Sequence, residues 1–225
     1  FRNEKNLGIV DTLNNMIDLS QGKYIARMDA DDISLPERIE KQVGFMETHQ
    51  GYAICGTNAW HINETGRVTG LSILPGDNDE VQVFKNFRCP FYHPSVLVRA
   101  EVFRQNMYKK EFEYAEDYEL WLRILYRYKG ANLRESFFCY RILKSSISRS
   151  TGSRERQTEL TKKLVKQDEK LLAKIEHNRF LCSYIQHICG RRFMSHFISY
   201  YFKRMVLILN VVRMKMHILH FIGKA

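Results

Sequence analysis

The chain has 225 residues, of which 44% are hydrophobic and 27% charged. These are the proportions of a folded protein, with enough apolar material for one sizeable core and room for a tail. The net charge of +10 is unevenly placed, because residues 177–225 hold eight Lys or Arg and no Asp or Glu, so the tail favours an anionic partner. Five cysteines at wide spacing, Cys55, Cys89, Cys139, Cys182 and Cys189, exclude a disulfide scaffold and a zinc pattern and point to a reducing compartment. No secretory leader pattern is present, and a chain opening on Phe1 is expected to be a piece of a longer one.

In chain order, Asn6-Leu7-Gly8 reads as a turn, followed by a helix with Ile9, Leu13, Met16, Ile17 and Leu19 on its apolar face, ending at Gly22. A strand is predicted over 23–28. Ser34 as N-cap and Pro36 inside the first turn predict a helix from Leu35 to His49. Residues 52–74 alternate around an Asn63-Glu64-Thr65-Gly66 turn and predict two strands. A helix over 77–86, a short strand over 94–99, a helix over 116–128 with Trp121 in the core, and a strand over 131–142 follow. This alternation predicts an α/β or mixed α/β sheet domain over 1–150, with a polar boundary at 145–156 and a basic, amphipathic helical tail over 151–225.

Two acidic elements carry the chemistry. The predicted strand over 23–28 runs straight into Asp29, Asp31 and Asp32. Clustered carboxylates beyond the end of a strand in an open α/β sheet suit a hard divalent cation that bridges to a phosphate. With only Ala30 between them, Asp29 and Asp31 can face one cation, while Asp32 faces elsewhere or caps the following turn. Capping of the next helix accounts for such a run equally well. The second element, Glu116-Asp117 at the start of a helix, suits either a helix dipole or a general base for an acceptor hydroxyl. Arg27 suits a diphosphate contact or a structural ion pair. His93, before Pro94, is a candidate acceptor contact.

Taken together, Asn6-Leu7-Gly8, the run from Gly22 to Asp32, Leu35-Pro36-Glu37-Arg38, His93-Pro94-Ser95 and the run from Ala115 to Trp121 closely resemble the family 2 inverting glycosyltransferases over residues 1–150. The resemblance implies a GT-A fold, a nucleotide-sugar donor bound through Asn6, Gly8, Arg27, Asp29 and Asp31, and a manganese or magnesium ion held by Asp29 and Asp31. It also implies Asp117 as the catalytic base, with Glu116 beside it. Members of that family begin with a strand, a nucleotide-binding loop and a second strand before the Asn-Leu-Gly turn. Those elements are missing from this sequence, so weak donor binding and an exposed sheet edge are expected of the chain as it stands. Leu143 stands where many relatives carry His.

Residues 179–224 mix basic side chains with aromatic and aliphatic ones, and no apolar run reaches a spanning length. An amphipathic helix on an anionic membrane surface fits this pattern, as does packing of the segment on the domain. The expectation is an enzyme at the cytoplasmic face of the membrane, acting on a cell-surface glycan or a lipid-linked acceptor, with no nucleic-acid partner. The alternatives are a nucleotidyltransferase, whose chemistry also needs paired carboxylates and a metal, and an inactive truncated chain serving as a membrane-associated interaction protein.

Overall fold

The computed structural model describes residues 2–86, 88–143, 155–160 and 163. The chain divides into two units, Phe1–Ala173 and Lys174–Ala225, and every described residue lies in the first. Apart from residues 155–160 and 163, the expected tail lies outside the described residues, as do Cys182, Cys189 and most of the expected domain boundary. Among the described residues Cys55, Cys89 and Cys139 are free thiols, and no helix is long and apolar enough to cross a membrane.

The framework is a six-stranded mixed sheet. The long strand β3 (Tyr52–Ile62) runs parallel to β6 (Lys129–Arg141). Along its other edge, the first half of β3 pairs antiparallel with β5 (Leu97–Arg99) and the second half with β4 (Val68–Ser72). Beyond β5 lies β1 (Tyr24–Ala26), and beyond β6 lies the two-residue β2 (Ile33–Ser34), both antiparallel to their neighbours. The β3–β4 hairpin turns through Asn63, whose Oδ1 accepts the main-chain N–H groups of Thr65 and Arg67, and Gly66 supplies the positive φ of 84° that this turn needs.

Alternation along β3 and β5 sends successive side chains to opposite layers. Paired Ile54 and Val98 face the larger core, where α1 (Ile9–Leu19), α3 (Asn78–Phe84), α4 (Ala100–Gln105) and α5 (Glu116–Arg127) contribute Ile17, Val81, Phe103 and Trp121. Paired Cys55 and Leu97 face the smaller one, closed by Met46 of α2 (Arg38–Thr48). The sheet is therefore covered by helices on both faces, as the alternation of elements predicts.

The differences from the sequence-based expectation are local and have identifiable causes. Helix α2 starts at Arg38 rather than Leu35, and Ser34 is not its cap. Ile33 and Ser34 pair instead with Cys139 and Phe138, and the Leu35 N–H continues that ladder to the Phe137 carbonyl at 2.9 Å. The buried face of α1 centres on Val10, Leu13 and Ile17, leaving Ile9, Met16 and Leu19 exposed. Its orientation is fixed from afar, because the Asn14 side chain donates to the Tyr108 carbonyl and accepts the Tyr108 N–H. Six-residue α4 is too short for a periodic signal.

One buried polar assembly joins three strands. Arg38 donates from Nη2 to the Arg27 carbonyl at 2.8 Å, at the end of β1, and from Nε to Gln42 Oε1. The Gln42 amide in turn donates to the carbonyls of Cys55 and Ser95 at 2.6 and 2.9 Å. Burial pushes the Arg38 guanidinium down to about 10, which still leaves it charged at neutral pH. Removing the amide with Gln42→Ala strands two buried carbonyls and one guanidinium N–H, so urea unfolding should show a loss of roughly 2–4 kcal/mol. A loss below about 0.5 kcal/mol would show that the assembly contributes little.

Candidate active site

The end of β1 is held before its acids begin. The Arg27 N–H donates to the Val96 carbonyl, and the Arg27 carbonyl accepts from buried Arg38. From this fixed point the Arg27 guanidinium reaches forward to Asp29, with Nη1 2.5 Å from Oδ2. The Arg27 side chain is only 9% exposed, and its Nε is buried without a hydrogen-bond partner.

The three acids then diverge. Asp31 is exposed. Asp32 turns inward, where its Oδ1 accepts the Arg141 N–H at 2.7 Å and its Oδ2 is buried without a partner. Burial, reinforced by the charges of Asp29 and Asp31, pushes the Asp32 carboxyl up to about 6. Of the two alternatives for Asp32, the structure has it facing elsewhere: it braces β6 and caps no helix end.

Among the described residues no group of three or more His, Cys, Asp or Glu is placed to hold a metal. The donor set suits a different kind of site. Asp29 has one oxygen outside its pair with Arg27, and Asp31 has an exposed carboxylate. One or two carboxylates completed by substrate phosphates and water is the arrangement magnesium commonly takes, in place of an all-protein cage. The residues present therefore fit a cation that binds together with a diphosphate.

The second acidic pair opens α5. Glu116 is 7% exposed, and its Oε2 has no hydrogen-bond partner. Asp117 accepts the Tyr118 N–H on Oδ1 at 2.7 Å, while the Cys89 thiol lies 3.8 Å from Oδ2. Burial and the neighbouring Asp117 push Glu116 up to about 7, and burial raises Asp117 as well. Just before the pair, Tyr114 adopts φ 80°, the one positive φ among the described non-glycine residues.

Arg27 draws the two acidic elements into one site. Its charge favours the ionised forms of both Glu116 and Asp117, and it disfavours protonation of His93. His93 itself is neutral, held there mainly by burial, with Nε2 2.7 Å from the Tyr108 hydroxyl and its ring against Trp121. Asn6 is occupied locally, its Oδ1 accepting the Gly8 N–H at the entrance of α1. Gly8, with φ 82°, leaves Glu113 Oε1 3.9 Å from the point where a Cβ would stand. This turn thus borders the segment that leads into Glu116. Cys89, Tyr108 and Arg141 were absent from the sequence-based site, and Arg38 entered only as part of the Leu35–Arg38 motif without a role; each is joined to the site by contacts from distant parts of the chain.

The curled mixed sheet with helices on both faces defines a GT-A-like fold. In agreement, the crystal structure of S. aureus TarS 1-349 in complex with UDP-GlcNAc superposes with a TM-score of 0.53 at 15% identity, over 86% of this chain and 54% of that one. The model of Glycosyl transferase family 2 matches residues 1–107. The amylovoran biosynthesis glycosyltransferase AmsE of Erwinia amylovora is 39% identical over 123 residues, 54% of this chain and 46% of that protein. The putative glycosyltransferase EpsE of Bacillus subtilis is 35% identical over 142 residues, 61% of this chain and 50% of that protein. The O-antigen biosynthesis glycosyltransferase WbnJ of Escherichia coli is 37% identical over 144 residues, 61% and 55% respectively. Over residues 1–107 the chain is thus similar to glycosyl transferase family 2, and it spans about half the length of these curated relatives.

The raised Glu116 makes a prediction about pH. Its value in the folded protein lies above its ordinary 4.5, so the folded state holds the proton more tightly than the unfolded state does. The associated stability is fully present below pH 4.5 and is lost as pH rises through about 7, amounting to about 3 kcal/mol. Urea unfolding from pH 4.5 to 8 should show wild type weakening relative to Glu116→Gln by this amount. Parallel curves for the two proteins would contradict the assignment.

Proposed function

We propose that this chain carries the donor-side and acceptor-side carboxylates of an inverting glycosyltransferase. It would transfer a sugar from a nucleoside diphosphate donor to a cell-surface glycan or a lipid-linked acceptor. The observation that carries this reading is that Arg27, paired with Asp29 at 2.5 Å, also lends its charge to Glu116 and Asp117, more than eighty residues away in sequence. The match of residues 1–107 to the family model supports the reaction class. The names of the amylovoran and O-antigen relatives support a surface polysaccharide as the product.

In this reading Asp117 takes the proton of the acceptor hydroxyl as that oxygen attacks the anomeric carbon. The Tyr118 N–H fixes one of its oxygens, and burial raises its basicity toward the working pH. Glu116 keeps a proton up to about pH 7, so the pair can carry a single negative charge, located on the base. Arg27, whose buried Nε has no hydrogen-bond partner, would meet the departing diphosphate through its guanidinium. Asp29 and Asp31 would hold Mg2+ or Mn2+, which when bound neutralises charge on that diphosphate. A single displacement inverts the anomeric configuration. The basic segment 179–224, outside the described residues, holds eight Lys or Arg and no Asp or Glu. On the same reading it rests on the anionic cytoplasmic face of the membrane.

Asp117→Asn in the full-length enzyme should lower kcat by about 10²–10⁴ while leaving donor affinity unchanged. Asp31→Ala should abolish metal-dependent donor binding, measured by calorimetry with and without Mn2+. An active Asp117→Asn enzyme would overturn the assignment of the base, and metal-dependent binding retained in Asp31→Ala would overturn the donor site.

A further inference from the structure

Arg141, the last residue of β6, stands at a junction of three chain segments. Its N–H donates to Asp32 Oδ1 at 2.7 Å and its Nε to the Asp31 carbonyl at 2.6 Å. In the other direction its Nη1 donates to the carbonyls of Asn63 and Glu64 at 2.9 and 3.2 Å. The next N–H, of Ile142, bonds the Ile62 carbonyl at 2.8 Å. The end of β6 is thereby tied to the acid loop on one side and to the β3–β4 turn on the other.

The acid loop has little else to fix it at this point. Its internal bond, from the Asp32 N–H to the Asp29 carbonyl, is 3.4 Å long, near the limit for such a bond. Asp29 is oriented by Arg27, but that contact lies on the β1 side of the loop. At Asp31 the restraint comes from the Arg141 fork, which holds the main chain and makes no hydrogen bond to the Asp31 carboxylate. A planar guanidinium with donors pointing in two directions can span both the acid loop and the hairpin turn, whereas a lysine ammonium at the end of a flexible stem cannot reproduce that geometry.

We propose that Arg141 is a positioning residue of the donor site. It locks the main chain at Asp31 to the β3–β4 turn, so that the exposed Asp31 carboxylate stays directed at the cation and diphosphate of the donor. This rests on the reading of Asp31 as a donor-site carboxylate. A side chain one hydrogen-bonding layer removed from metal ligands commonly governs metal affinity by 10–100-fold, and Arg141 occupies that layer from 110 residues away.

The test uses Arg141→Lys in the full chain, with amide hydrogen exchange of residues 29–34 as the first readout and Mn2+ binding in the presence of UDP as the second. Exchange over 29–34 should accelerate at least tenfold while the central strand β3 is unchanged, and Mn2+ binding should weaken about 10–100-fold. Unchanged exchange together with unchanged Mn2+ affinity in a variant that melts like wild type would overturn the proposal. If Arg141→Lys does not fold, Arg141→Gln, which also removes the guanidinium fork to the Asp31 carbonyl and the β3–β4 turn, carries the same expectation. Accelerated exchange with no Mn2+–UDP binding even in wild type would overturn the donor-site reading, and the positioning role with it, while leaving the restraint itself established.

Discussion

Asp29, Asp31 and Asp32 lie within four residues of one another, and their mutual repulsion would spread the loop that carries them unless other contacts restrained it. Two carboxylates roughly 6 Å apart repel by about 3 kcal/mol at the effective dielectric of a protein surface. The molecule answers with three separate devices. Arg38 and Gln42 fix the end of β1 from below through buried carbonyls. Arg27 neutralises Asp29. Arg141 withdraws Asp32 into the sheet and grips the main chain at Asp31. What remains facing outward is one free carboxylate beside a compensated one, which is a suitable landing place for a divalent cation that arrives with phosphate oxygens.

The same guanidinium organises the second acidic pair. Arg27 opposes the rise that burial imposes on both Glu116 and Asp117, so the pair is kept near the range in which it can exchange protons at physiological pH. Placing the pair at the start of α5 gives Asp117 a main-chain donor without a cap side chain. It also puts the apolar face of that helix, with Trp121 fully buried, directly behind the chemistry. A helix thus carries Glu116 and Asp117, while Asp29, Asp31 and Asp32 sit in a loop that is restrained by other segments.

Much of this was written in local sequence. Alternation of apolar residues gave β3, β4 and β6, the Asn63–Gly66 turn gave the hairpin, and the acids at the mouths of β1 and α5 stood out as candidate site residues. The start of α2 was misread because Ser34 and Pro36 carry the local signal of a helix entrance, whereas pairing of Ile33 and Ser34 with β6, more than a hundred residues later, decides their conformation. Cys89, Tyr108 and Arg141, and the role of Arg38, were missed for the same reason. Their roles arise from contacts across the sheet or between distant loops, and an isolated arginine or cysteine in a sequence looks the same whether it braces an active site or faces water. The reading of α1 failed more subtly, since Ile9, Met16 and Leu19 fit a helical face but Asn14, anchored to Tyr108, sets the rotation of the helix.

The most direct test of the central claim, that these two acidic pairs serve sugar transfer, is phosphorus and proton NMR of the full-length enzyme turning over a nucleotide-sugar donor. The account predicts release of nucleoside diphosphate and a product of inverted anomeric configuration. Release of pyrophosphate would place the chemistry at the α-phosphorus instead of the anomeric carbon, and a product of retained configuration would contradict a single displacement assisted by Asp117.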